Sequence, residues 1–204
     1  MYTEAEKDKF FRRITEFHTK DAPGLEIGVE MVDCALDLLG KVHDKILAVV
    51  ETSACLVDVV QIMVGCTTGN KYLQALTNLG RFAVTLYDRK DGRGVRVSVD
   101  LSKINKEKTP EIHNFFNRKR AIEVETNMEL RKASGALIKK EFKTIGRELF
   151  RTEKVNVKTF GKPPILPAQV CNKCEESFLA KNKTDEMCEF CTGTAEYYIP
   201  IKDS

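Results

Sequence analysis

Two cysteine pairs near the end of the chain, Cys171-Asn172-Lys173-Cys174 and Cys188-Glu189-Phe190-Cys191, constrain its folding more than any other feature. The spacing CxxC-x13-CxxC lets two tight turns aim four thiolates at one point. That is the tetrahedral set Zn²⁺ accepts, and four thiolates leave no open position, so zinc there is structural. A tail of about 40 residues has too little core to fold unaided, and zinc ligation, worth roughly 10–16 kcal/mol in small zinc peptides, supplies what is missing. A redox-active CxxC or a rubredoxin-type iron centre would use the same residues; general site chemistry favours zinc.

The rest reads as an ordinary globular chain. Of 204 residues, 42% are hydrophobic and 31% charged, and the formal charge is only +3. That length fills one domain with some chain left for a small appendage. So even a charge balance gives no expectation of nucleic acid or an anionic membrane as partner. The N-terminal MYTEAEKDKFFRRITEFH is charged throughout and lacks the apolar run of a secretory signal. No stretch approaches the roughly 20 apolar residues of a membrane-spanning helix, so the expected location is the cytoplasm. In that reducing compartment seven cysteines, an odd total with four in close pairs, argue for metal over a disulfide framework.

Apolar periodicity predicts helices over residues 3–17 and from Leu25 to Leu39, the second stopped by Gly40. Asp21 is a candidate cap for the second, and Pro23 suits its first turn. Ile46 to Glu51 reads as a buried strand and Leu56 to Met63 as a helix closing at Gly65. Phe82–Tyr87 and Gly94–Val99 read as strands joined through Asp91-Gly92-Arg93-Gly94. Leu130, Ala133, Leu137, Ile138, Phe142, Ile145 and Leu149 predict one long helix near residues 122–150. Lys154 to Phe160 alternates like a strand, and Gly161-Lys162-Pro163-Pro164 follows as a stiff linker. The expected organisation is an α+β domain over residues 1–160 and a small zinc ribbon over residues 165–204.

Two further stretches carry a resemblance. One runs Phe17-His18-Thr19-Lys20-Asp21-Ala22-Pro23-Gly24-Leu25 and continues through Ile27-Gly28-Val29. The other runs Glu51-Thr52-Ser53-Ala54-Cys55-Leu56-Val57-Asp58-Val59-Val60-Gln61, then Gly65-Cys66-Thr67-Thr68-Gly69-Asn70. With Gly94-Val95-Arg96-Val97 and the terminal cysteine pairs, they resemble the FmdE family of formylmethanofuran dehydrogenase subunits. The resemblance implies an antiparallel sheet covered by helices, often dimeric and often followed by a zinc ribbon. It also implies a metal in the main domain, gathered by the first stretch and the later cysteines. Where the family typically reads FHGHxCPG, this chain keeps His18, Pro23 and Gly24 but has Lys20 for a second His and Ala22 for a Cys. The ligands left for a second site are His18, Cys55 and Cys66, with Asp58 beside them.

The family name points to molybdenum- or tungsten-dependent oxidation of formylmethanofuran, which this chain could not perform alone. The resemblance implies an accessory or stand-alone paralogue handling metal, a pterin-type cofactor or a partner enzyme. Against the metal stands a plainer reading, in which Cys34, Cys55 and Cys66 are small core residues. A small hydrolase or transferase using Cys66 as nucleophile and His18 as base is one alternative. A nucleic-acid-binding ribbon protein is the other, since residues 118–154 hold eleven Lys and Arg against six Asp and Glu. The interspersed acids fit the wet face of a helix better than a phosphate track. His43 and His113, among polar neighbours, are expected to be solvated.

Overall fold

The computed structural model describes residues 2–161 and 164–199. They separate into two compact units, the first ending at Gly161. Lys162 and Pro163 of the expected linker lie outside the described residues.

The first unit runs α1 (Glu4–His18), α2 (Pro23–Leu39), β1 (Ile46–Val50), α3 (Leu56–Val64), β2 (Leu73–Ala75), β3 (Ala83–Asp88) and β4 (Arg93–Val99). It continues through α4 (Pro110–Phe116), α5 (Ile122–Thr126), α6 (Met128–Ile145) and β5 (Phe150–Asn156). The second unit holds β6 (Ala168–Val170) and β7 (Ser177–Leu179), an antiparallel pair.

Helix α1 begins at a reciprocal cap. The Thr3 hydroxyl accepts the Glu6 amide at 3.3 Å, and the Glu6 carboxylate accepts the Thr3 amide at 2.8 Å. It ends where Thr19 turns left-handed, at φ 63°. Helix α2 starts with Pro23 in its first turn, as expected, but Ala22 occupies the cap position and offers no side-chain bond. Asp21 does not cap; its carboxylate pairs with Lys139 on α6.

The five strands of the main unit lie in the order β2-β1-β3-β4-β5. All neighbours are antiparallel except β1 and β2, which pair parallel from Ala48↔Leu73 to Val50↔Ala75. Alternate residues Ala48, Val50, Val84, Leu86, Val95 and Val97 join the core with Leu25, Ile27 and Val32 of α2, Val59 and Val60 of α3, and Ile138 and Phe142 of α6. Gly28 lets α2 and α3 approach closely, because a Cβ there would meet Cγ2 of Val59 at 2.9 Å. This is the α+β architecture with a mostly antiparallel sheet. No helix among the described residues is long and apolar enough to cross a membrane.

Three expectations need correction. The long helix near residues 122–150 is broken at Asn127, whose side chain accepts the amides of Glu129 and Leu130 and starts a new helix. It stops again at Gly146, φ 54°, and Leu149 belongs to a 3-10 turn. The last strand of the sheet is Phe150–Asn156 rather than Lys154–Phe160: Val95 sits opposite Lys154 and Val99 opposite Phe150, which fixes the register. On α6 the buried residues are Ser134, Gly135, Ile138 and Phe142, while Leu130 and Leu137 are exposed.

Candidate metal centre and a thiol–imidazole site

In the second unit each cysteine pair sits on a tight turn. After the first, Glu175 takes a left-handed φ of 63° and its amide bonds the Cys171 carbonyl at 2.9 Å. After the second, the Thr192 amide bonds the Cys188 carbonyl at 3.1 Å and Gly193 supplies a φ of 81°. The Asn172 amide reaches the Glu186 carbonyl at 2.9 Å and ties the two turns together.

These turns bring the four sulfurs within 4.8 Å of one another. Those of Cys174 and Cys188 are 3.9 Å apart. A tetrahedron with metal–sulfur bonds of about 2.3 Å has edges of about 3.8 Å, so the spacing fits a four-thiolate metal. Backbone amides point at the sulfurs as well, Cys188 N–H to Cys171 at 3.4 Å and Cys191 N–H to Cys188 at 3.5 Å. Amide donors from Cys174 and Cys188 pull the Cys171 thiol down to about 6. Burial and the neighbouring sulfurs push Cys191 up to about 12. Four thiols so crowded cannot all ionise without a cation among them, and a bound cation reverses that penalty. Phe190 stacks on Tyr198 at 4.4 Å, with Tyr197 edge-on beside it.

The main unit gathers some of the expected ligands and separates others. His18 closes α1, Cys55 stands at the N-terminal cap of α3, and Asp58 lies in the first turn of α3. Nδ1 of His18 meets Oδ2 of Asp58 at 2.6 Å, and its Nε2 meets the sulfur of Cys55 at 3.7 Å. Cys66 does not join them. It lies past the opposite end of α3, its thiol buried and donating to the Ile46 carbonyl at 3.2 Å. Eleven residues at the helical rise place it about 16 Å from Cys55. The expected ligand set His18, Cys55 and Cys66 therefore does not assemble, and Cys66 cannot be a nucleophile served by His18. Burial pushes the Cys66 thiol up to about 11, as suits a core residue. Cys34 is likewise in the core.

Cys55 is held against the start of α2. A Cβ on Gly24 would come 3.0 Å from its sulfur and 3.7 Å from the Phe82 ring, so only glycine leaves the thiol its place. Burial raises the Cys55 thiol above its ordinary value; its own amide and the Lys20 charge work the other way. The side chains of His18 and Asp58 keep 16% and 25% of their exposure, so solvent reaches the edge of the site.

Sequence reasoning passed over one more cluster. His43, expected to be solvated, keeps a 56% exposed ring but bonds Asp88 at 3.0 Å and lies 3.6 Å from Asp91. The buried Asp88 carboxylate also accepts the amides of His43 and Lys90, so this group closes the β3–β4 turn. Among the described residues, the groups of three or more such side chains with ligand atoms within 4.8 Å are this one and the four ribbon cysteines.

Comparison with known proteins agrees with this architecture. Residues 17–157 match the family described as FmdE, molybdenum formylmethanofuran dehydrogenase operon. A probable S-adenosyl-L-methionine-binding protein of Archaeoglobus fulgidus is 33% identical over 198 residues, covering 93% of this chain and 53% of that protein. The chain thus spans about half the length of that relative. The crystal structure of an FmdE-like protein of tungsten formylmethanofuran dehydrogenase, from Syntrophus aciditrophicus, superposes with a TM-score of 0.72 at 31% identity, covering 94% of this chain and 95% of the other. With the family match extending over more than half of its length, this chain belongs to the FmdE family.

Proposed function

We propose that this chain is an accessory or stand-alone FmdE-family protein in which residues 165–204 form a zinc ribbon and residues 1–160 form a separate ligand-binding domain. The observation that carries the zinc reading is the set of four sulfurs within 4.8 Å, donated by two amide-lined turns. Cys171, Cys174, Cys188 and Cys191 would hold the metal, and its role there is to fold the ribbon. Fully buried side chains in this unit are confined, among the described residues, to Cys171 and Ala180. So small a core needs a covalent or metal staple.

An accessory role fits the cysteine inventory. Cys34, Cys55 and Cys66 remain outside the ribbon, too few and too dispersed to ligate an iron–sulfur cluster. The family is named for a molybdenum enzyme and the Syntrophus protein for a tungsten one, and such an enzyme or its cofactor is the partner we favour. We place the chain in the cytoplasm as a homodimer, for which the exposed Ile122, Met128, Leu130 and Leu137 of α5 and α6 offer an apolar surface.

Cobalt substitution tests the zinc site. Co²⁺ in a four-thiolate tetrahedron gives intense visible absorption and a sulfur-to-metal charge-transfer band. The wild-type chain should show both, and Cys174→Ser should lose the tetrahedral spectrum. A weak octahedral spectrum in the wild type would overturn the assignment.

A further inference from the structure

We propose that Cys55, His18 and Asp58 form a thiol nucleophile, its general base and the group that orients the base, acting on the acyl carbon of esters or thioesters. The site is separate from the ribbon and does not depend on the zinc reading.

The three side chains meet in the order this chemistry requires. The 2.6 Å contact from Asp58 to Nδ1 fixes the tautomer of His18 with its proton on that nitrogen. Nε2 is then left as an acceptor, 3.7 Å from the Cys55 sulfur. Catalytic hydrogen bonds are often long in the unliganded state and tighten with substrate. Each residue is placed by the fold. His18 is held by the left-handed stop at Thr19, Cys55 by the start of α3, and Asp58 by the same helix one turn on. Helix α3 has nine residues, and its positive end, with the Cys55 amide, faces the sulfur where negative charge would develop. Burial keeps the resting thiol protonated, so the base is needed at the moment of attack.

An acyl substrate follows from the base. Alkyl halides and sulfonium groups leave without taking up a proton, and gain little from an imidazole that returns one. The alkoxide or thiolate released from an acyl group needs that proton. In the first step Cys55 Sγ bonds to the carbonyl carbon while its proton passes to Nε2 of His18. The tetrahedral adduct collapses, the bond from acyl carbon to the leaving oxygen or sulfur breaks, and the leaving group takes the proton from His18. Water, deprotonated by the same nitrogen, then attacks the thioester. The free acid forms, and the proton returns from His18 to the Cys55 thiolate. Cys55 and His18 touch the reacting atoms; Asp58 is a positioning residue.

The test is acetylation of the full-length protein by p-nitrophenyl acetate, with the modified cysteine identified by peptide mass spectrometry. Cys55 should acetylate at least about tenfold faster than N-acetylcysteine at the same pH. His18→Ala and His18→Gln should both remove that advantage, and added imidazole should restore part of it to His18→Ala. Asp58→Asn should slow the reaction and Asp58→Glu recover part of the loss, with melting temperatures unchanged in each case. Three results would each overturn the proposal. One is acetylation of Cys55 no faster than the free thiol. Another is indifference to both His18 substitutions. The third is labelling only after a chelator has been added, which would make Cys55 a metal ligand.

Discussion

Replacing Cys171 with serine should dismantle the ribbon and spare the main unit. Cys171 is fully buried, its sulfur receives the Cys188 amide, and donors hold its thiol down to about 6, so it is the readiest of the four to ligate. Serine offers a hard, weakly acidic oxygen on a shorter bond. Sharing roughly 10–16 kcal/mol of zinc binding among four thiolates puts each at about 2.5–4 kcal/mol. The loss corresponds to about two to three orders of magnitude in zinc affinity. A competition titration against a chromophoric chelator reads that change directly. Limited trypsin digestion reads its structural consequence. Cleavage after Lys173, Lys181 and Lys183 should accelerate sharply in Cys171→Ser, or in wild type stripped by a chelator. Cleavage in residues 2–161 should keep its rate, because those residues carry their own core. Unchanged zinc affinity together with an unchanged digestion pattern would refute the reasoning.

Other consequences concern the main unit. Glu51 is buried and bonded by Arg96 at 2.7 and 3.0 Å, with Arg81 at 2.6 Å. Glu51→Gln should cost about 3 kcal/mol at neutral pH, measured by urea unfolding, because it leaves the arginines without their anion. The Arg96 hydrogen bonds lower the Glu51 carboxyl below its ordinary 4.5, so its stabilisation is complete above that pH and is lost as the pH falls further. The gap between wild type and Glu51→Gln should therefore narrow in acid; a gap that widened would contradict the assignment. Gly28→Ala places a methyl 2.9 Å from Val59 and 3.3 Å from Leu56. Overpacking of about 1–3 kcal/mol then outweighs a helix-propensity gain of about 1 kcal/mol, and thermal unfolding should show a modest net loss. Ile138→Ala should cost about 3 kcal/mol and Leu137→Ala under about 0.5 kcal/mol, a contrast that tests which face of α6 is buried.

Where one local signal decided the outcome, the sequence was legible. The apolar stripe from Leu25 to Leu39 and its stop at Gly40 gave α2, and Gly65 closed α3 with a left-handed φ of 75°. Ile46–Val50 reads as a strand because it is apolar, partly β-branched and short. Other features depended on tertiary context. Leu73–Ala75 has no strand signature of its own and becomes β2 by pairing parallel to β1. The break at Asn127 competes with an apolar period that runs on past it, and the cap wins. The ribbon cysteines were visible because a metal site imposes a spacing along the chain. The Cys55–His18–Asp58 grouping joins residues 37 and 40 positions apart, and only the packing of α1 against α3 reveals it. Cys55 and Cys66 looked equivalent in sequence; the length of α3 between them decides which one His18 can serve.

Metal content of the freshly purified full-length chain, measured by elemental analysis alongside protein concentration, separates the two sites in a single experiment. One zinc per chain, lost when Cys174 is replaced by serine, is the expected result: a filled ribbon and a free Cys55. Iron in place of zinc would contradict the structural-zinc reading, and so would a chain whose ribbon resists protease with no metal bound. A second metal that disappears with Cys55→Ala would contradict the nucleophile and make His18 and Cys55 ligands instead.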